Sequence, residues 1–137
     1  MKYLLISILV CLSMSIQAQK YSIHATQGSY MVDMGKQTAR WVDWSPCDVY
    51  IVLDFDNSKI VIDNKFKDSF SILSSTDMVK KIDFSGHEYM TCTYRLYDKD
   101  GNMLNVVFKG FDTGVVQLLI YYNTLAYGYS GDFLDKM

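Results

Sequence analysis

A chain of 137 residues with a net charge of −2 has room for one ordinary domain and not for two. Its 13 basic residues face 15 acidic ones and nowhere cluster, which excludes the basic surface a nucleic-acid partner or an anionic membrane requires. With 1 proline, 11 tyrosines and 15% aromatic residues, the composition is that of β-strands and not of a disordered segment.

Residues 1–18 read as a cleaved secretory signal peptide. Lys2 supplies the positive start, Leu4–Ile16 an uncharged apolar run, and Ser15 and Ala18 small residues near the cleavage point. A spanning helix needs roughly 20 apolar residues, so Leu4–Ile16 is too short for a retained anchor. Cys11 is a poor lipidation site, because no small residue precedes it in Ile8-Leu9-Val10. The mature chain is therefore expected to begin at Gln19. It forms a single β-rich domain over 19–137, secreted or periplasmic, with no stable membrane insertion after cleavage.

Residues 20–36 hold at most one irregular strand. Thr38–Trp44 is the first regular one, and Ser45-Pro46 interrupts it. In Asp48–Asp56 the side chains alternate: Val49, Ile51, Leu53 and Phe55 share one face, Asp48, Tyr50, Val52, Asp54 and Asp56 the other. A turn at Asp56-Asn57-Ser58 leads into Lys59–Phe66, with Ile60, Ile62 and Phe66 on the apolar side, so 48–66 is a hairpin. Further strands follow at Ser69–Ser75, Met78–Phe84 and His87–Tyr97. Asp98-Lys99-Asp100-Gly101-Asn102 turns the chain into Met103–Lys109. After a loop at 110–114, Val115–Tyr122 and Thr124–Tyr129 make a last hairpin.

About eight strands at spacings of about ten residues mark an all-β fold. Sequential hairpins favour an antiparallel up-and-down meander, closed as a small barrel or curled as an open roll, with a β-sandwich as the alternative. Closure hides strand edges, which suits an exported chain rich in Val, Ile and Tyr. In outline such a meander resembles lipocalin-like and avidin-like barrels. No Gly-x-Trp follows residue 18, however, and the likeness assigns no residue a role.

Cys47 and Cys92 both fall on apolar faces, and an oxidising compartment would permit a disulfide between them. Closing that loop would contribute about 4 kcal/mol in the chain-entropy description. Catalytic and metal signatures are lacking. The mature chain has only His24 and His87, with no C-x-x-C, no G-x-S-x-G and no glycine-rich phosphate loop. His87 and Glu88 are adjacent on a strand and point apart. The 98–102 run resembles a calcium loop only faintly and reads as a turn. No catalytic residue, metal site or cofactor is expected.

Aromatic surface remains. Trp41 and Trp44 flank the end of one strand, and Tyr121, Tyr122, Tyr127 and Tyr129 crowd the last hairpin. Rings with a polar tip suit a protein, a glycan or a small apolar ligand. The expected function is a non-catalytic binding or interaction module using these aromatics. The alternatives are an assembly protein that pairs through edge strands and a small-ligand carrier of lipocalin-like architecture.

Overall fold

The computed structural model describes residues 20–63, 67–123 and 125–134. The expected signal peptide, residues 1–18, lies outside them, as do Phe66 and Thr124.

Ten strands carry the chain. They are β1 (Lys20–Val32), β2 (Arg40–Trp41), β3 (Ser45–Asp54), β4 (Lys59–Asp63), β5 (Asp68–Ser75), β6 (Val79–Ile82), β7 (Glu88–Tyr97), β8 (Met103–Phe111), β9 (Val115–Tyr121) and β10 (Ala126–Phe133). Neighbours run antiparallel in the order β1, β3, β4, β5, β7, β8, β9, β10. Pairing of β10 back onto β1 closes them as an eight-stranded barrel. The short strands β2 and β6 lie outside the ring, on β1 and β7.

The hairpin expected over 48–66 is β3–β4. Ile51 lies opposite Ile62 and Leu53 opposite Ile60, all four fully buried. Alternation puts grease inside on every side. Met90, Cys92, Tyr94 and Leu96 of β7 face inward, as do Leu104, Val106 and Phe108 of β8 and Val116, Leu118 and Ile120 of β9. Phe70 enters from β5, and Tyr21, Ile23 and Ala25 from β1. Burying one such aliphatic or aromatic side chain contributes about 1.5–3 kcal/mol. A core drawn from seven of the eight strands, with Tyr127, Tyr129 and Phe133 of β10 packed against it, therefore holds the ring shut.

Residues 20–36 hold one irregular strand, as read, and it is the longest of the ten. β1 pairs with β3 on one side and β10 on the other, with its register shifted between Ala25 and Gln27 on both. Against β10, Thr26 is the extra residue of a β-bulge; against β3 the extra residue lies on β3, between Pro46 and Val49. Such bulges bend a strand where a barrel must curve. The regular strand expected at Thr38–Trp44 shrinks to β2. The reason is local: residues 33–44 fold back over the outside of the barrel rather than joining it. Val42 N–H donates to the Tyr30 carbonyl at 2.9 Å, and the Ser29 hydroxyl to the Val42 carbonyl at 2.7 Å. Ser45-Pro46 begins β3 instead of interrupting it. A proline is tolerated at a strand's start, where its missing donor disrupts least.

Asp54 also differs from expectation. It is buried rather than solvated, accepting from the Asn57 side-chain amide at 3.0 Å and the Asn57 N–H at 3.2 Å, with the Lys20 ammonium 3.7 Å away. The 98–102 run is a hairpin turn. Asp98 Oδ1 accepts from the N–H groups of Asp100 and Asn102 at 2.9 and 2.8 Å, and Gly101 takes φ +83°.

Candidate functional site

The six aromatic residues singled out from the sequence divide between two sides of one sheet. Cross-strand register fixes the sides. Tyr127 lies opposite Ile120 and Tyr129 opposite Leu118, both interior residues, so these two tyrosines face into the barrel. Tyr121 lies opposite Ala126 and faces out.

Outside, the 33–44 segment lays Trp41 and Trp44 against β9 and β10. The two indoles stack at 6.4 Å with planes 12° apart, and Trp41 meets the Tyr121 ring edge-on at 6.0 Å. Beneath them Leu119 and Ala126 are buried although they point away from the core. The tip of Trp44 lies over Gly128; a Cβ on that glycine would stand 3.2 Å from Trp44 Cη2. This outer cluster packs half-buried indoles against the barrel wall. It fastens the segment between β1 and β3 to the barrel wall.

Inside, the tyrosines line the barrel end at which β1 leaves and β3 and β10 begin. Tyr122 and Tyr127 stack at 6.3 Å, and Tyr127 meets Tyr129 edge-on at 5.9 Å. The Tyr127 hydroxyl donates to that of Tyr122. Burial, then the neighbouring Tyr122 and Asp68, push the Tyr127 phenol far above its ordinary value; burial raises Tyr122 also. Both rings are neutral donors at any physiological pH.

Two clefts open around this end. One, of about 280 Å³, is lined by Gly28, Ser29, Tyr30, Val42, Ser45, Tyr127, Gly128 and Tyr129. No charged side chain borders it, and Tyr30 stands 58% exposed at its rim. The other, of about 420 Å³, lies on the far side of Tyr122, between Met34, Arg95, Met103, Asn105 and Tyr121. Sequence reasoning missed Tyr30. It lies in the strand that looked irregular, and only its pairing with Tyr127 brings it to the cleft.

The expected disulfide is absent: Cys47 and Cys92 are free thiols. Both point inward as read, but β4 and β5 separate their strands around the ring. The Cys47 thiol turns to the Ala25 carbonyl at 3.6 Å. Burial raises both thiols above their ordinary values, aided at Cys47 by Asp48 and opposed at Cys92 by a hydrogen bond with Tyr94.

The histidines occupy the outer surface. His24 Nε2 lies 2.6 Å from Asp48 Oδ1, with its ring stacked on Tyr50 at 4.5 Å. This group is not visible in the sequence, since it is made by register across β1 and β3. Asp48 is exposed and neither cleft includes the pair. His87 Nδ1 stands 3.6 Å from Asp112, while Glu88 pairs with Lys80 at 3.4 Å. Among the described residues no three His, Cys, Asp or Glu side chains converge as a metal ion would require.

No family model, curated protein or solved structure matches this chain.

Proposed function

We propose that this protein is a non-catalytic exported binding module that takes a small neutral ligand at the tyrosine-lined end of its barrel. The observation that carries the reading is the 280 Å³ cleft, bordered by Tyr30, Tyr127 and Tyr129 without a charged side chain. Its volume sits near the lower end of the range that small molecules fill, so one or two rings are the natural load. Tyrosines supply flat apolar faces and neutral hydroxyl groups together. Asp68 lies within electrostatic reach of Tyr127 and disfavours an anionic guest. Export follows from reading residues 1–18 as a signal peptide. The non-catalytic reading is supported by the placement of both histidines on the outer surface, away from the two clefts described.

The test is a titration with prodan, a neutral solvatochromic dye of two fused rings, followed by emission. The dye is expected to bind with a blue shift. Tyr30→Ala, at an exposed position, is expected to weaken binding about tenfold, equivalent to about 1.4 kcal/mol. Tyr129→Phe, which keeps the ring, is expected to change it little. Equal affinity in the unaltered chain and in Tyr30→Ala, or no binding at all, overturns the proposal.

A further inference from the structure

Closing the ring occupies both edges of eight strands, but β6 stays outside it and, among the described residues, pairs on one side only, with β7. All four of its residues are exposed. Large apolar side chains stand out along the same edge: Leu73 is 53% exposed, Val79 48%, Ile82 65% and Phe84 103%. Leu73 is the extra residue where the β5–β7 register shifts between Ile72 and Ser74. Phe84 is held out by an ordered turn. Asp83 Oδ1 accepts from the N–H groups of Ser85 and His87, each at 2.9 Å, and Gly86 takes φ +84°. Native sheets blunt an open edge with charge or cover it, and a row of exposed apolar residues on one marks a place where another chain adds.

The charges on the edge select the occupant. Lys80 and Lys81 sit between Val79 and Ile82; Lys80 already reaches Glu88 at 3.4 Å, whereas Lys81 has no carboxylate within ion-pair distance among the described residues. A second copy pairing antiparallel through β6 would set Lys80 against Lys81, or one of them against itself, in every central register. Like charges directly opposite destabilise a pair of strands. Lys81 already bears on Lys109, whose charge is disfavoured first by burial and then by Lys81, with Asp83 opposing both. Lys109 in turn lies over the Tyr89 ring at 5.3 Å. Carboxylates opposite the two lysines would relieve this crowding, and apolar residues on either side would cover Val79 and Ile82.

We infer that β6 is an acceptor edge to which an extended acidic segment of another protein adds as a strand, with the pattern apolar-acidic-acidic-apolar. This surface is separate from the tyrosine-lined end and stands or falls independently of it. Main-chain hydrogen bonds would supply the affinity and the two lysines the choice of partner.

Fluorescence anisotropy of short labelled peptides against the full chain tests it. A peptide with the core Val-Glu-Glu-Ile is expected to bind at least tenfold more tightly than one with Val-Lys-Lys-Ile. In the double variant Lys80→Glu, Lys81→Glu the preference is expected to reverse; both positions are exposed, and circular dichroism checks that the fold is kept. An acidic peptide with a central proline, unable to pair as a strand, is expected to lose binding. Equal binding of the two cores, an unchanged preference in the double variant, or full binding of the proline peptide overturns the inference. So does a dimer in sedimentation that Phe84→Ser dissolves, because the occupant would then be a second copy.

Discussion

Gly131 lies on the seam that closes the barrel, opposite Ala25 of β1 and Val116 of β9. A Cβ at this position would fall on the His24 carbonyl oxygen and come within 2.7 Å of the Ala25 Cα. Both are backbone atoms, next to the bulge at Thr26, so no rotamer change can clear the space. In Gly131→Ala the two strands must part locally. Overpacking of this kind costs about 1–3 kcal/mol. Each ladder hydrogen bond lost beside it costs about 1 kcal/mol net. Alanine restricts the unfolded chain and returns at most about 1 kcal/mol. The balance is a destabilisation of about 3 kcal/mol, roughly a hundredfold in the folding equilibrium and a large share of a small domain's total of about 5–15.

Two glycines serve as controls. At Gly128 the nearest atoms to an added Cβ are side-chain ends, Leu119 Cδ2 at 2.8 Å and Trp44 Cη2 at 3.2 Å, which can move aside. At Gly114 nothing lies within 4 Å, and only its φ of +94° resists alanine. Each control substitution is expected to cost about 1 kcal/mol. Urea unfolding followed by tryptophan fluorescence reads all three, compared at equal m. If Gly131→Ala proves no less stable than Gly114→Ala, the close approach of β10 to β1 is not what shuts the barrel.

Three further outcomes can be checked. The Asn57 side-chain amide, working against burial, then the Asn57 N–H and Lys20, hold Asp54 below its ordinary value. Its contribution to stability is therefore full above the unfolded carboxylate value of about 4 and is lost as pH falls through the lower folded value. Asp54→Asn should flatten the acid side of a pH series of urea midpoints, and an unchanged slope would remove Asp54 from the account. A chain lacking residues 1–18, denatured and alkylated without reductant, should gain two adducts by mass, at Cys47 and Cys92; a chain that gains none is bridged. Trp44→Ala should uncover Leu119 and Gly128 at a cost of about 2–4 kcal/mol. Exchange of the Val42 amide with solvent should quicken at the same time, whereas a protected Val42 would mean that the 33–44 segment is fastened by something other than the indoles.

Period-two alternation was enough to read β3, β4, β7, β8 and β9, because each presents several large apolar side chains in strict succession. It failed on β1 for a physical reason. The bulge at Thr26 inverts the phase halfway along, and the residues after it, Gln27, Gly28 and Ser29, are small or polar. Ser29 is buried all the same, because its hydroxyl finds the Val42 carbonyl. The alternation also says which residues share a face without saying what covers the outer one. Leu119 is the sharpest case: it points outward and is buried, because Trp44 reaches it from a segment far away in sequence.

The aromatic residues show the same limit from the other direction. Tyr121 and Tyr122 are neighbours in sequence and were grouped together, yet Tyr121 packs outside under Trp41 while Tyr122 stacks on Tyr127. Adjacent residues at a strand end must part in this way. A count of rings on a hairpin therefore overstates any one surface, and the tryptophans lie on the outer wall, away from Tyr127 and Tyr129. What gathers Tyr30, Tyr127 and Tyr129 is closure itself. Their strands come from opposite ends of the domain and meet only because β10 pairs with β1. Fold and candidate site thus depend on one seam. A substitution that opens it, Gly131→Ala foremost, should weaken prodan binding in proportion to the fraction of barrel left closed, even though Gly131 lies outside the lining of the cleft.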